Sequence, residues 1–111
     1  MRTLPVLFCC LVPSTGAALS CSGTGPPWSV AIEGEAATLT LANEEKTYDV
    51  RLATKALNEQ ETVAYTLIGA RDTAILIVFP ASCNANTHAA HLLTQQNQSP
   101  ILITGCCVLD D

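Results

Sequence analysis

The chain has 111 residues, 49% of them hydrophobic and 14% charged, with a formal net charge of −5. A chain of this length fits one domain. The acidic balance leaves no basic patch, so we expect neither nucleic acid nor an anionic membrane surface to attract the protein by charge.

The beginning of the chain has the order of a secretory signal peptide. Arg2 provides a positive start, residues 4–12 (LPVLFCCLV) form an apolar run, and residues 13–18 are small or turn-forming. The run is too short for a transmembrane helix, which needs about 20 residues. We therefore predict a leader over residues 1–18, cleaved after Ala18.

Cleavage would leave a small acidic domain outside the cytoplasm. Residues 19–111 hold four basic and ten acidic side chains, a net charge of −6. Residues 19–27 are rich in Gly and Pro and are predicted to be a lead-in without regular structure. Residues 28–111 are predicted to form a single β-domain in the periplasm or on the cell envelope.

Strand patterns follow one another from Trp28 onward. Apolar and polar residues alternate with the period of two that is typical of half-buried strands, whereas residues 74–79 (AILIVF) form an apolar run typical of a strand buried on both faces. Pro80 is expected to end that strand, residues 53–61 to form a loop, and residues 88–93 to form a short strand or one helical turn. The predicted strands are 28–32, 36–41, 47–52, 62–68, 74–79 and 101–107.

Short strands with frequent turn signals predict an all-β fold, namely a small antiparallel β-barrel or sandwich stapled by disulfides. The large apolar residues of the strands should form its core. The residues expected to be buried are Trp28, Val30, Ile32, Leu39, Leu41, Val50, Leu52, Tyr65, Leu67, Ile75, Ile77 and Phe79.

Four cysteines follow the leader, enough for two disulfides in an exported domain. A bridge between the adjacent Cys106 and Cys107 is disfavoured because it would close a strained ring. Two pairings remain open: Cys21–Cys106 with Cys83–Cys107, or Cys21–Cys107 with Cys83–Cys106.

Cys21 has a second possible fate. It follows Ala18-Leu19-Ser20, a degenerate match to the signal that directs lipid attachment in bacterial lipoproteins. A lipid on Cys21 would anchor the protein to a membrane and prevent a disulfide at this position.

Motifs for catalysis are not apparent. The sequence has no Gly-x-Ser-x-Gly turn, no phosphate-binding loop and no dinucleotide fingerprint, so we expect neither an enzyme nor a cofactor. His88 and His91, five and eight residues after Cys83, form a candidate metal site. They would share a face on a helical turn, but on a strand their odd spacing would place them on opposite faces.

The opening of the domain resembles a largely uncharacterised family of small bacterial envelope proteins, many of them lipoproteins. Members of that family open with Cys-x-Gly-Thr-Glu-Pro-Phe-Trp, and residues 21–28 (CSGTGPPW) match this motif at Gly23, Thr24, Pro26 and Trp28. The resemblance implies export and disulfides more than it implies an activity.

Later cysteines extend the resemblance over most of the domain. Cys83 and residues 105–107 (GCC) match the family's second cysteine motif and its terminal Gly-Cys. Residues 84–88 (NANTH) depart from the acidic Asp-Gly-Met-Ser-Asp that usually follows the first of these cysteines.

These observations predict an exported, non-catalytic binding or envelope-maintenance module, with a protein or small ligand of the envelope as partner. One alternative is an inhibitor of a cationic cell-wall hydrolase such as lysozyme, attracted by the acidic charge. Another is a carrier of a small ligand or metal that uses residues 83–91.

Overall fold

The computed structural model describes residues 18–59 and 61–109, which form a closed antiparallel β-barrel. Each strand pairs with the next in the chain, and β8 pairs with β1 to close the sheet. This confirms the predicted all-β class and selects the barrel; residues 1–17, most of the predicted leader, lie outside the described part. The strands are β1 (Leu19–Gly23), β2 (Trp28–Glu33), β3 (Ala36–Leu41), β4 (Glu44–Lys55), β5 (Val63–Ile68), β6 (Thr73–Cys83), β7 (Asn86–Gln96) and β8 (Ser99–Leu109).

The first strand was missing from the sequence prediction. Leu19–Gly23 pairs with β2 on one side and β8 on the other, so only residues 24–27 of the expected lead-in form a turn. Only Leu19 and Cys21 of this short strand point inward, and Ser20 and Ser22 point outward. Two inward residues are too few for the alternating pattern to be recognised in the sequence. This strand closes the barrel, because β8 pairs with it.

Alternation places one face of each strand inside the barrel. Trp28, Val30 and Ile32 on β2 and Leu39 and Leu41 on β3 are all buried, as expected. The buried hydrophobic residues form one continuous cluster that fills the interior. The other members of this cluster are Leu19, Cys21, Ala37, Tyr48, Leu67, Ala74, Leu76, Val78, Ala90, Leu92, Ile103 and Cys107.

The predicted orientation of β6 was wrong. Ala74, Leu76 and Val78 point inward, whereas Ile77 and Phe79 are half-buried and Ile75 is 37% exposed. A barrel of one sheet has a single interior, so only alternate residues of an apolar run can enter it.

Two further core assignments need correction on β4 and β5. Val50 and Tyr65 are half-buried and pack against the core cluster, whereas Leu52 is 59% exposed. The register shifts between Val50 and Leu52, and this irregularity turns Leu52 away from the interior.

Pro80 does not end β6. The strand continues to Cys83, and the pairing with β7 shifts from Pro80–His88 to Cys83–Asn86, which leaves one extra residue on β6. A proline is tolerated at such a bulge because its missing N–H breaks no regular ladder. Within residues 18–59 and 61–109 we find no helix long and apolar enough to cross a membrane.

Candidate functional site

Two disulfides join the strands around the seam between β1 and β8. Cys21 bonds to Cys107, with their Cα atoms 4.0 Å apart, and Cys83 bonds to Cys106, with their Cα atoms 5.5 Å apart. This is the second of the two pairings left open by the sequence. Because the Cys21 sulfur is in a disulfide, lipid attachment at Cys21 and the Cys21–Cys107 bridge are alternatives.

The two bridges lie on opposite sides of the barrel wall. Cys21 and Cys107 face inward and are 2% and 1% exposed, whereas Cys83 and Cys106 are half-buried on the outer side. Adjacent residues of a strand point to opposite faces, so Cys106 and Cys107 can serve two different bridges.

The outer bridge holds the end of the β6–β7 hairpin against the barrel. We call residues 80–88 the arm. At its tip Asn84 adopts a left-handed backbone conformation with φ 56°, and its side-chain amide donates to the Cys106 sulfur at 3.5 Å. The Cys83 sulfur lies 3.5 Å from the carbonyl oxygen of Gly105. The arm therefore crosses the outer face of β8.

A cleft of about 540 Å³ lies between the arm and the wall of the barrel. We call it the arm cleft. Volumes of this size accommodate small ligands. The Cys83–Cys106 bridge forms part of its wall, and its polar side chains come from the arm, β7, β8 and the β1–β2 segment. These polar residues are Ser22, Thr24, Asn84, Asn86, His91 and Thr104.

The arm cleft is polar but carries no acidic, lysine or arginine side chain among its lining residues. Amides and hydroxyls both donate and accept hydrogen bonds. The ring of His91 packs edge-on against Phe79, with ring centroids 5.1 Å apart. The lining therefore offers hydrogen-bond donors and acceptors to a polar group.

The two histidines do not form the metal site considered from the sequence. Both lie on β7, and their spacing of three places them on opposite faces of the strand. His91 lines the arm cleft, whereas the Nδ1 atom of His88 lies 3.0 Å from the hydroxyl of Thr87. In the described part of the chain, no three His, Cys, Asp or Glu side chains are close enough to hold a metal ion.

The structure brings Cys83, Cys106 and His91 together and leaves His88 outside the arm cleft. Asn86 and Thr104 also line the cleft, although their positions in the sequence did not predict it. The motif segment at Ser22–Thr24 contributes to the same cleft, although sequence reasoning gave it no role beyond the lead-in. The one signal in the sequence that these segments lie close together is the spacing of the cysteine motifs, which matches that of the envelope-protein family.

No protein-family model, curated protein or solved structure shows a significant match to this chain.

Proposed function

We propose that the protein is an exported, non-catalytic binding module of the bacterial cell envelope, and that the arm cleft is its recognition surface. The observation that carries this proposal is the cleft itself, where polar side chains of distant segments converge beside a disulfide. The two disulfides and the signal-like leader favour an oxidising compartment outside the cytoplasm.

A surface cleft suits this barrel better than an internal cavity. Leu39, Leu67, Leu76 and Leu92 are each at most 1% exposed and fill the interior. A ligand inside would have to displace this packed core. The outer cleft requires no such change, and the Cys83–Cys106 bridge limits the conformations of the arm before binding. Such preorganisation reduces the entropy lost on binding.

The cleft is tested with ¹⁵N-labelled protein and the low-molecular-weight fraction of a bacterial envelope extract. On addition of the extract we expect the backbone amide signals of Asn84, Asn86, His91 and Thr104 to change chemical shift. Asn86→Ala should reduce these changes. The matched control is Thr47→Ala, an exposed change on β4, which should leave the shifts unchanged. Shifts that survive Asn86→Ala, or that arise only elsewhere on the barrel, would contradict this assignment of the cleft.

Export is tested separately by intact mass spectrometry of protein recovered from membrane and soluble fractions. We expect a soluble species that begins at Leu19 with four oxidised cysteines. A membrane species that begins at a lipidated Cys21 would instead identify a lipoprotein, with Cys107 free to pair differently. Retention of residues 1–18 in the recovered protein would contradict the proposed export.

A second candidate is an inhibitor of a cationic cell-wall hydrolase, which the charge distribution favours. The described residues hold eight acidic and four basic side chains, and Lys46 is already paired with Asp72. Hen egg-white lysozyme is a suitable probe. This candidate requires inhibition at low salt that weakens as salt screens the charges, and absence of inhibition at low salt would rule it out for this enzyme.

A further inference from the structure

Large apolar side chains lie side by side across the outer wall of the barrel. Ile75 on β6 is paired in register with Leu93 on β7, and Leu93 is paired with Leu102 on β8. Ile75 is 37% exposed, Leu93 44% and Leu102 64%. Side chains at directly paired positions of antiparallel strands contact each other, so the three form a continuous patch. We call it the apolar row.

The strands that carry the apolar row have no charged side chain. β5, β6, β7 and β8 contain no Asp, Glu, Lys or Arg. Of the twelve charged side chains in the described residues, six lie on β4, one lies on β2, and the others lie between strands. Exposed apolar side chains without charges are typical of the centre of a protein–protein interface.

The opposite part of the outer wall has a different composition. On β1, β2 and β3 most of its side chains are small and carry hydroxyls, among them Ser20, Ser22, Ser29, Thr38 and Thr40. In the part of the chain that the structure describes, exposed large apolar side chains occupy directly paired positions only in the apolar row. The row is therefore a local feature of β6, β7 and β8.

The charge distribution favours a second copy of the chain as the partner of this row. Residues 19–111 have a net charge of −6, so two copies repel each other. Contact through β6, β7 and β8 keeps β4, with half of the charged side chains, outside the interface. A charged partner would find no opposite charge on these strands.

The size of the face matches a small interface. Three strands about 4.8 Å apart, each of 11 residues with a rise of about 3.3 Å, provide a face about 14 Å wide and about 36 Å long. Each copy can therefore contribute up to about 500 Å², at the low end of specific interfaces, where association is weak and reversible.

We propose that the protein forms a weak dimer through the apolar row. In a two-fold arrangement, the commonest for homo-oligomers, the same patch of each copy meets itself, and Leu93 at the centre lies near its counterpart. The arm cleft lies further along the same strands, since His91 and Thr104 are two residues from Leu93 and Leu102. The dimer does not depend on what the arm cleft binds.

Sedimentation velocity of the disulfide-bonded protein tests the dimer. We expect a reversible dimer with a Kd below about 0.5 mM, in the range of weak contacts. Added salt should leave the Kd unchanged or lower it, because salt screens the repulsion between acidic copies. Leu93→Glu should raise the Kd about tenfold or more, since it removes an apolar contact and opposes two like charges.

The matched control is Ser29→Glu, which adds the same charge at an exposed position on β2, four strands from β6 in the barrel. It should change the Kd by less than about twofold, because salt screens a charge so far from the interface. Circular dichroism and Trp28 fluorescence verify that the variants fold. Leu102→Ser, a milder change in the same row, should also weaken the dimer and replaces Leu93→Glu if that variant is unfolded.

Several results would overturn the proposal. One is a monomer at all protein concentrations up to about 1 mM. Others are equal weakening by Leu93→Glu and Ser29→Glu, and a dimer that dissociates as salt is added, which would indicate a charged interface. A monomer that binds phosphatidylcholine vesicles, and loses this binding in Leu93→Glu, would assign the row to a lipid surface instead. None of these outcomes involves the arm cleft, so the two proposals can fail separately.

Discussion

Cys21 on β1 and Cys107 on β8 face each other in register inside the barrel, and their disulfide joins the first strand to the last. The bridge closes the sheet covalently at the one seam where the paired strands are not neighbours in the chain. Cys83–Cys106 has a different role, since it fastens the arm to the outside of the wall.

Removing the two bridges should therefore have different consequences. In the chain-entropy description, the stabilisation grows with the separation of the cysteines, which is 86 residues for Cys21–Cys107 and 23 for Cys83–Cys106. We expect Cys21→Ala with Cys107→Ala to cost about 4–5 kcal/mol, and Cys83→Ala with Cys106→Ala about 3 kcal/mol.

Urea unfolding without reductant measures both differences. The outer pair of substitutions should also broaden or shift the amide signals of Asn84 and Asn86 while the core signals persist. A larger loss of stability from the outer pair than from the inner pair would contradict the assigned roles.

Gly105 should not tolerate a side chain. A Cβ atom at this position would clash with the Ser22 carbonyl and lie 2.7 Å from the Trp28 ring. The Trp28 indole N–H donates to the Thr104 carbonyl at 3.1 Å, so ring and backbone cannot separate without losing this bond. We expect Gly105→Ala to lower the free energy of unfolding by about 2–4 kcal/mol, a loss of the size caused by overpacking and a broken buried hydrogen bond.

Thr104→Ala is the matched control for this change. Thr104 directly precedes Gly105 on β8, and its side chain is exposed. The substitution leaves in place the Thr104 backbone carbonyl that accepts a hydrogen bond from Trp28. Urea unfolding followed by Trp28 fluorescence compares the two variants, and similar stabilities would show that the seam is not tightly packed.

The orientation of β6 can be read from three neighbouring truncations. Leu76 is fully buried, Ile77 is half-buried and Ile75 is 37% exposed. We expect Leu76→Ala to cost about 2–5 kcal/mol, Ile77→Ala an intermediate amount and Ile75→Ala the least. Thermal unfolding measures this order, with Glu44→Ala as the exposed control. A larger effect for Ile75→Ala than for Leu76→Ala would mean that the strand is turned over.

Alkaline pH should destabilise the fold through Lys46 and Tyr48, two residues apart on β4. The hydrogen bond to Asp72 raises the pKa of Lys46 above its usual 10.5, and burial raises the pKa of Tyr48 above its usual 10.0. The folded state thus favours the protonated form of both. Their contribution is complete below about pH 10, the unfolded tyrosine value, and is lost as the pH rises through the folded values.

The free energy of unfolding, measured between pH 8 and pH 12, tests this effect. The double variant Lys46→Met with Tyr48→Phe should lose less stability over this range than wild type. Equal losses would show that other groups cause the alkaline destabilisation.

Much of the fold followed from local patterns. The alternation over residues 28–32 and 36–41 determined both the strands and their buried faces. It was insufficient at β1, where an inward cysteine and two outward serines resemble a loop, and at residues 74–79 of β6, which are all apolar. In both cases the missing information was the closure of the barrel, which depends on pairing between distant residues.

The candidate sites were harder to predict for the same reason. Cys83 and Cys106 are visible in the sequence, yet Asn86 and Thr104 become neighbours only because the arm folds over β8. Periodicity indicates which face a residue occupies, but not which strand lies opposite.

The neighbouring Cys106 and Cys107 also protect the alignment of the last strand. If Cys21 paired with Cys106 instead, β8 would have to slide by one residue, and Ile103 and Cys107 would leave the interior while polar Thr104 entered it. A chain oxidised in the wrong combination could not bury its core. The Cys21–Cys107 disulfide therefore forms only in molecules whose last strand has the correct register, and it then fixes that register.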